Sequence, residues 1–238
     1  MSIEIESITN QIINADCMDV LKQLPDKCID LVLTDPPYIL DMKGGKGKAF
    51  GDRKLIKDKH IDFIAHDFDF ENVFNEFIRI SKKVNLCIFC SNAQISRTMK
   101  FFEDKGYKVT LCVWDKPNPI PLCNMKLVNN LEFIVWVKED KTYFNNELDV
   151  KDKYRSFKYP APQERIHPTE KPIKLIKHLA NLFSNENDLI LDCFSGSGTT
   201  AVACHNLKRR FICIEKDKDY WKASVERLKN AQAQMKLF

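Results

Sequence analysis

Short apolar runs alternate with amphipathic stretches along most of the chain. Ile12-Ile13, Ile29 to Leu33 (broken only by Asp30), Leu86 to Phe89, Val109 to Trp114, Leu131 to Val137, Asp188 to Asp192 and Phe211 to Glu215 read as strands. Between them, apolar residues recur at helical spacing. Val20, Leu21 and Leu24 share one face; so do Val73, Phe74, Phe77 and Ile78; then Ile95, Met99 and Phe102; then Ile173, Ile176, Ala180 and Phe183; and last Trp221, Val225, Leu228 and Ala231. Pro25 and Gly106 close two of these helices and Pro172 opens another. Strands separated by helices predict an α/β fold, a mostly parallel, doubly wound sheet with helices on both faces.

Two stretches break the pattern. Residues 41–66 contain Lys43-Gly44-Gly45-Lys46-Gly47-Lys48 and many charges without a period, which reads as a long loop. It is either a solvated insertion or a flap that closes over a target and touches phosphates through its lysines. Residues 139–165 carry Lys141, Lys151, Lys153, Arg155, Lys158 and Arg165 interleaved with Tyr143, Phe144, Tyr154, Phe157 and Tyr159. That is either an irregular solvated face or a surface offering cations to phosphates and aromatics to bases. Pro117, Pro119 and Pro121 mark a further break in regular structure.

The chain has 238 residues, which fits one domain spanning 1–238. A formal net charge of +4 permits an anionic partner without demanding one. No apolar run is long enough for a membrane and Met1-Ser2-Ile3-Glu4 does not open a leader, so a cytoplasmic protein is expected. Nine cysteines in such a chain read as free thiols. Cys87 and Cys90 have metal-like spacing but lie in an apolar strand with no matching Cys/His pair, so packing is expected and no metal site.

The candidate chemistry sits first in Asp35-Pro36-Pro37-Tyr38, directly after a strand. Two prolines fix the backbone and remove two donors, leaving rigid carbonyl acceptors. A carboxylate, a fixed carbonyl and an aromatic face in one turn suit a planar amine, although a plain surface turn has the same composition. The second candidate is Phe194-Ser195-Gly196-Ser197-Gly198-Thr199-Thr200, a Gly-rich turn from strand to helix. It lacks the Gly-x-Gly-x-x-Gly spacing of dinucleotide sites and the Lys of a phosphate loop. Glu215 ends the next strand, where an acid can accept from both ribose hydroxyls or simply pair with Lys216 or Lys218.

With His167-Pro168-Thr169-Glu170-Lys171-Pro172, these motifs resemble the S-adenosylmethionine-dependent amino methyltransferases that act on DNA bases. The tetrapeptide precedes the Gly-rich loop, as in the β class, and the resemblance runs from about Ile13 to Glu226. It implies a Rossmann-like methyltransferase fold and S-adenosylmethionine as cofactor. Asp35, Pro36, Pro37 and Tyr38 then match the catalytic motif. Asp16 and Cys17 match positions beside the cofactor's adenine, although Asp16 can equally cap a helix. Asp35, Phe194, Ser195, Gly196, Ser197, Gly198 and Thr199 match the remaining cofactor wall, with Glu215 at the ribose. His167, Thr169 and Lys171 border the methionine end. Residues 139–165 fall where the class places target recognition, as a short insertion. The resemblance further implies duplex DNA as substrate and adenine N6 as target, because Asp in the first motif position is usual for adenine enzymes. Cytosine N4 stays open, as do an RNA base or protein amide as substrate, and a non-catalytic relic that binds nucleic acid. A homodimer and a cognate restriction endonuclease are partners that the class allows.

Overall fold

Eight strands form one sheet among the residues that this computed structural model describes, 3–38, 68–119 and 127–235. They are β1 (Gln11–Asn14), β2 (Leu31–Thr34), β3 (Asn85–Cys90), β4 (Lys108–Asp115), β5 (Leu131–Lys138), β6 (Ser156–Lys158), β7 (Leu189–Asp192) and β8 (Arg210–Glu215). Their spatial order is β1-β8-β7-β2-β3-β5-β4-β6. The helices are α1 (Ile5–Ile8), α2 (Cys17–Leu21), α3 (Phe70–Ile80), α4 (Ile95–Glu103), α5 (Ile173–Phe183), α6 (Thr199–Asn206) and α7 (Lys218–Met235). The expected loop at 41–66 lies outside the described residues, as does Pro121.

Neighbouring residues of the central strands serve opposite faces, as the two-residue period of a strand requires. Leu31 and Leu33 of β2, with Cys87 and Phe89 of β3, pack in the core under α5, α6 and α7. Val32, Leu86 and Ile88 pack on the other side with α2, α3 and α4. That is the doubly wound arrangement the sequence predicts, and both faces are buried as parallel strands demand. Cys87 and Cys90 fall in different core clusters, so their spacing turns them away from each other and each packs as an apolar residue.

One strand runs against its neighbours. β5 pairs antiparallel with both β3 and β4, while the other pairings are parallel. β4 and β5 are adjacent antiparallel strands, and the described part of their connection contains Pro117 and Pro119 and no helix. Asn85 then helps lock α5 onto the sheet: its side chain donates to the Phe183 carbonyl at 2.8 Å and accepts from Trp136 Nε1 at 3.1 Å, and Trp136 stacks on Phe183 at 4.6 Å.

The stretch 139–165 is more ordered than its pattern predicts. It holds a 3-10 turn at Val150–Lys153 and the edge strand β6, parallel to β4. Its aromatics do not all face outward: Phe157 is buried, and Phe144 and Tyr159 pack against the same core cluster. Tyr154 remains exposed.

Candidate functional site

The carboxyl ends of β1, β8, β7 and β2 point to one edge of the sheet, where open α/β folds bind ligands. A cavity of about 740 Å³ lies there. Its wall brings together Asp16, Cys17, Asp35, Pro36, Pro37, Tyr38, His167, Thr169, Lys171, Phe194, Ser195, Gly196, Ser197, Thr199 and Glu215. These come from five separate stretches of the chain. Gly198 is not on the wall. It adopts φ +73, and a Cβ there would lie 2.8 Å from Ser224 Cβ on α7, so this glycine serves the close approach of loop and helix.

The Gly-rich loop is clamped from several directions. Gly196 N–H donates to Glu215 Oε2 at 2.7 Å, and Asp217 N–H donates to Glu215 Oε1 at 2.8 Å. Each Glu215 oxygen keeps a further lone pair for a ligand hydroxyl. Burial pushes this carboxyl up, and the two backbone donors oppose the shift. Gly196 has φ +48, and a Cβ there would come 3.3 Å from the His167 ring, so the loop and the segment before α5 meet at a glycine. His167 also accepts or donates at Nδ1 with the Thr169 hydroxyl, 3.1 Å away. From α7, Arg227 donates to the Ser197 carbonyl at 3.1 Å and pairs with Glu170 at 3.0 Å. Trp221 Nε1 on the same helix donates to the Ile12 carbonyl of β1 at 2.8 Å. Asp16 caps α2 by accepting from Met18 N–H at 2.9 Å and pairs with Lys216 at 2.9 Å. The cap reading and the cavity-wall reading of Asp16 therefore both hold.

Asp192, which the motif pattern did not single out, joins the two halves of the site. Its Oδ1 accepts from the Thr34 hydroxyl at 2.8 Å and from Phe194 N–H at 3.2 Å, and its Oδ2 accepts from the Thr200 hydroxyl at 2.6 Å. Thr34 precedes Asp35, so one buried carboxyl ties the strand that carries Asp35 to the Gly-rich loop. Burial pushes it up to about 6 against those hydrogen bonds.

The corner around Asp35 is a charge cluster. Lys171 Nζ donates to Asp35 Oδ2 and to the Thr169 carbonyl, and lies 3.1 Å from Glu132 Oε2. These contacts turn the ammonium toward Asp35 and Glu132, while Lys171 also stands on the cavity wall beside His167 and Thr169. The Tyr38 hydroxyl donates to Glu132 Oε2 at 3.2 Å, and Lys116 donates to Glu132 Oε1 at 3.2 Å. Burial works against the charge of Lys171, but Asp35 and Glu132 outweigh it and raise its pKa. Burial also works against Glu132, yet Lys171 and Lys116 hold its carboxyl below the usual range. For Tyr38, burial and then the two carboxylates push the phenol well above its ordinary value, so it stays an O–H donor. The turn itself is held by Gln94, whose amide donates to the Pro37 carbonyl at 3.0 Å.

Glu132 and Gln94 were missed because nothing local marks them. Glu132 is an acid near the start of an apolar strand, and its strand's reversal puts that start at the ligand edge. Asp192 left a fainter signal, an acid at the end of a buried strand beside the glycines.

Two residues of the cavity wall each carry a buried polar atom with no hydrogen-bond partner among the described residues, Asp35 Oδ1 and Ser195 Oγ. A buried acceptor and hydroxyl left open cost stability unless a ligand satisfies them. A nucleoside cofactor with an amino-acid tail fits such a wall: carboxylate acceptors for hydroxyls at Glu215 and a glycine loop that admits close approach.

Residues 29–226 match a family model described as DNA methylase. The type II methyltransferase M2.LlaDCHI of Lactococcus lactis subsp. cremoris is 30% identical, over 91% of this chain and 88% of that protein. M.HinfI of Haemophilus influenzae is 28% identical, over 96% of this chain and 71% of that protein. The crystal structure of the M1.HpyAVI–SAM complex superimposes with a TM-score of 0.70 at 28% identity, over 92% of this chain and 99% of that one. The cytosine-N4-specific PvuII DNA methyltransferase, 16% identical with a TM-score of 0.66, shares the fold.

Proposed function

Since the chain belongs to the DNA methylase family, we propose that it methylates the N6 amine of adenine in duplex DNA, flipping the base into the Asp35 corner for direct in-line attack. It is a site-specific DNA methyltransferase that uses S-adenosylmethionine. The observation that carries the finer reading is the orphaned Oδ1 of Asp35, a buried acceptor on the cavity wall beside a turn of two prolines.

An exocyclic amine is a poor nucleophile because its lone pair is delocalised into the ring. Asp35 Oδ1 accepts one N–H and the rigid Pro36 carbonyl the other, which orients the nitrogen and frees its lone pair. Acceptors so placed also stabilise the positive charge that grows on the nitrogen. S-adenosylmethionine, when bound, supplies an activated methyl group on a sulfonium. Tyr38 replaces the stacking that the base loses when it leaves the duplex. Glu215 takes the ribose hydroxyls, Asp16 and Cys17 flank the adenine end, Phe194 to Ser197 and Thr199 line the middle, and His167, Thr169 and Lys171 border the amino-acid end. No covalent enzyme intermediate is required. The thiol of Cys17 on this wall stays neutral, pushed up to about 12 chiefly by burial.

Residues 139–165 take the target-recognition role, with Lys151, Arg155 and Lys158 exposed toward phosphates and Tyr154 exposed near bases. One methyltransferase domain spans 1–238, a second copy adds DNA contacts, and a cognate endonuclease reads the same site. The deciding experiment is mass spectrometry of nucleosides from unmethylated duplex DNA treated with protein and S-adenosylmethionine. N6-methyladenine is expected. N4-methylcytosine would keep the mechanism and overturn the target base.

A further inference from the structure

Glu132 does not line the cavity, yet three groups of the reactive corner converge on it or on its neighbour. Its Oε2 accepts from the Tyr38 hydroxyl at 3.2 Å and faces Lys171 Nζ at 3.1 Å; its Oε1 accepts from Lys116 at 3.2 Å. It reaches this position because β5 is reversed. Glu132 pairs with Trp114 in the ladder with β4, and Phe133 pairs with Cys90, the last residue of β3. A parallel strand in this place would bring its far end to the site instead.

We infer that Glu132 is a positioning residue for methyl transfer: it shares the Lys171 ammonium with Asp35 and anchors the Tyr38 ring, so that Lys171 holds one oxygen of Asp35 while the other stays free for the target amine. The inference rests on the reading of Asp35 as amine acceptor. An ammonium paired with Asp35 alone would neutralise that carboxylate and draw density from both oxygens. Set between two carboxylates, it is divided between them, and Asp35 keeps acceptor strength at Oδ1. Lys116 limits the opposite risk, because two buried acids against one lysine would leave excess negative charge. Lys171 itself lies 5.2 Å from the Tyr38 ring centroid and 5.1 Å from that of Phe89, which confines the ammonium to this slot.

Asp35 is faced by Lys171 from the segment before α5, by Glu132 from β5, by Tyr38 from its own turn, by Asp192 at the end of β7 and by Cys90 at the end of β3. Burial pushes the Asp35 carboxyl up; Lys171 opposes the shift and Glu132 adds to it. Removing the charge of Glu132 therefore lowers the pH at which Asp35 becomes ionised. Removing Lys116, which offsets Glu132, raises it. Both variants leave Asp192 and Cys90 untouched.

The test is single-turnover methyl transfer to duplex DNA, measured across a wide pH range for Glu132→Gln and Lys116→Gln, with S-adenosylmethionine affinity measured alongside. Glu132→Gln is expected to slow transfer about tenfold or more, keep cofactor affinity, and move the acid limb of the rate profile to lower pH. Lys116→Gln is expected to move the limb to higher pH. Unchanged transfer in Glu132→Gln, or limbs that fail to move in opposite directions, overturns the inference. If Glu132→Gln does not fold, the direction of the Lys116→Gln limb decides alone. Asp35→Ala is run in parallel: activity retained there overturns the reading of Asp35 itself, whereas activity lost there with an indifferent Glu132→Gln overturns only the role of Glu132.

Discussion

Lys171 rests its ammonium on Oδ2 of Asp35, and Oδ1 of the same carboxylate is buried without a partner among the described residues. One side chain thus holds a paired oxygen and an unpaired one. On the proposed reading the unpaired oxygen is the acceptor for the target amine, and the paired one sets its direction.

Asp35→Ala is expected to lower methyl transfer by at least about a hundredfold, the scale seen when one preorganised partner of a reacting group is removed. Cofactor affinity should stay within about threefold, since Lys171 retains Glu132 and the ribose site is remote. Labelled methyl incorporation and calorimetric titration of the cofactor check the two halves separately.

Lys171→Met strands the buried Asp35 carboxylate, leaves Glu132 on Lys116 alone, and is expected to cost about 3 kcal/mol of stability at neutral pH. The sign follows from the raised pKa of Lys171. Its contribution is fully present below the unfolded value of 10.5 and is lost only as pH rises through the folded one. In the variant, one acid takes a proton on acidification, so the deficit should shrink toward low pH. Denaturant midpoints at neutral and acidic pH read this directly.

Glu215→Gln keeps a carbonyl for one loop amide but loses charge and one acceptor. Affinity for S-adenosylmethionine is expected to fall about tenfold, the loss of one charge-assisted hydrogen bond. Transfer at saturating cofactor should change little. An equally large fall in the saturated rate would contradict a ribose role.

Asp192 carries a pH dependence of opposite sense to the usual surface acid. Its folded value is raised from 3.8 to about 6, so burying its charge costs stability above that range and costs nothing below 3.8. Relative to Asp192→Asn, the wild type should gain stability on acidification from pH 7 to pH 4, by about 2 to 3 kcal/mol. Thermal midpoints of the pair across that interval test it, and a flat difference would mean that the carboxyl stays ionised.

Much of this was readable in the chain because the signals were local. Apolar runs and helical spacing place β1, β2, β3, β4, β5, β7 and β8 with their helices, and the tetrapeptide and Gly-rich loop stand out by composition. What escaped was set by contacts across the sheet. Lys171 lies 136 residues from Asp35, so its motif suggests a ligand contact but not the ion pair that the fold adds to it. The reversal of β5 leaves no trace in an apolar run that reads the same in either direction. β6 is three residues long and shows only one buried side chain, Phe157, within a charged stretch. Gly198 reads as a ligand glycine, and its packing against Ser224 is not legible locally, because that neighbour is known only once α7 is folded back.

That last helix has a consequence for how the protein comes into being. Trp221 grips β1 near the beginning of the chain, while Ser224 and Arg227 brace the Gly-rich loop. Glu215 and the Gly-rich loop both precede this helix in the chain, so the loop takes its braced geometry only once α7 has folded back onto β1.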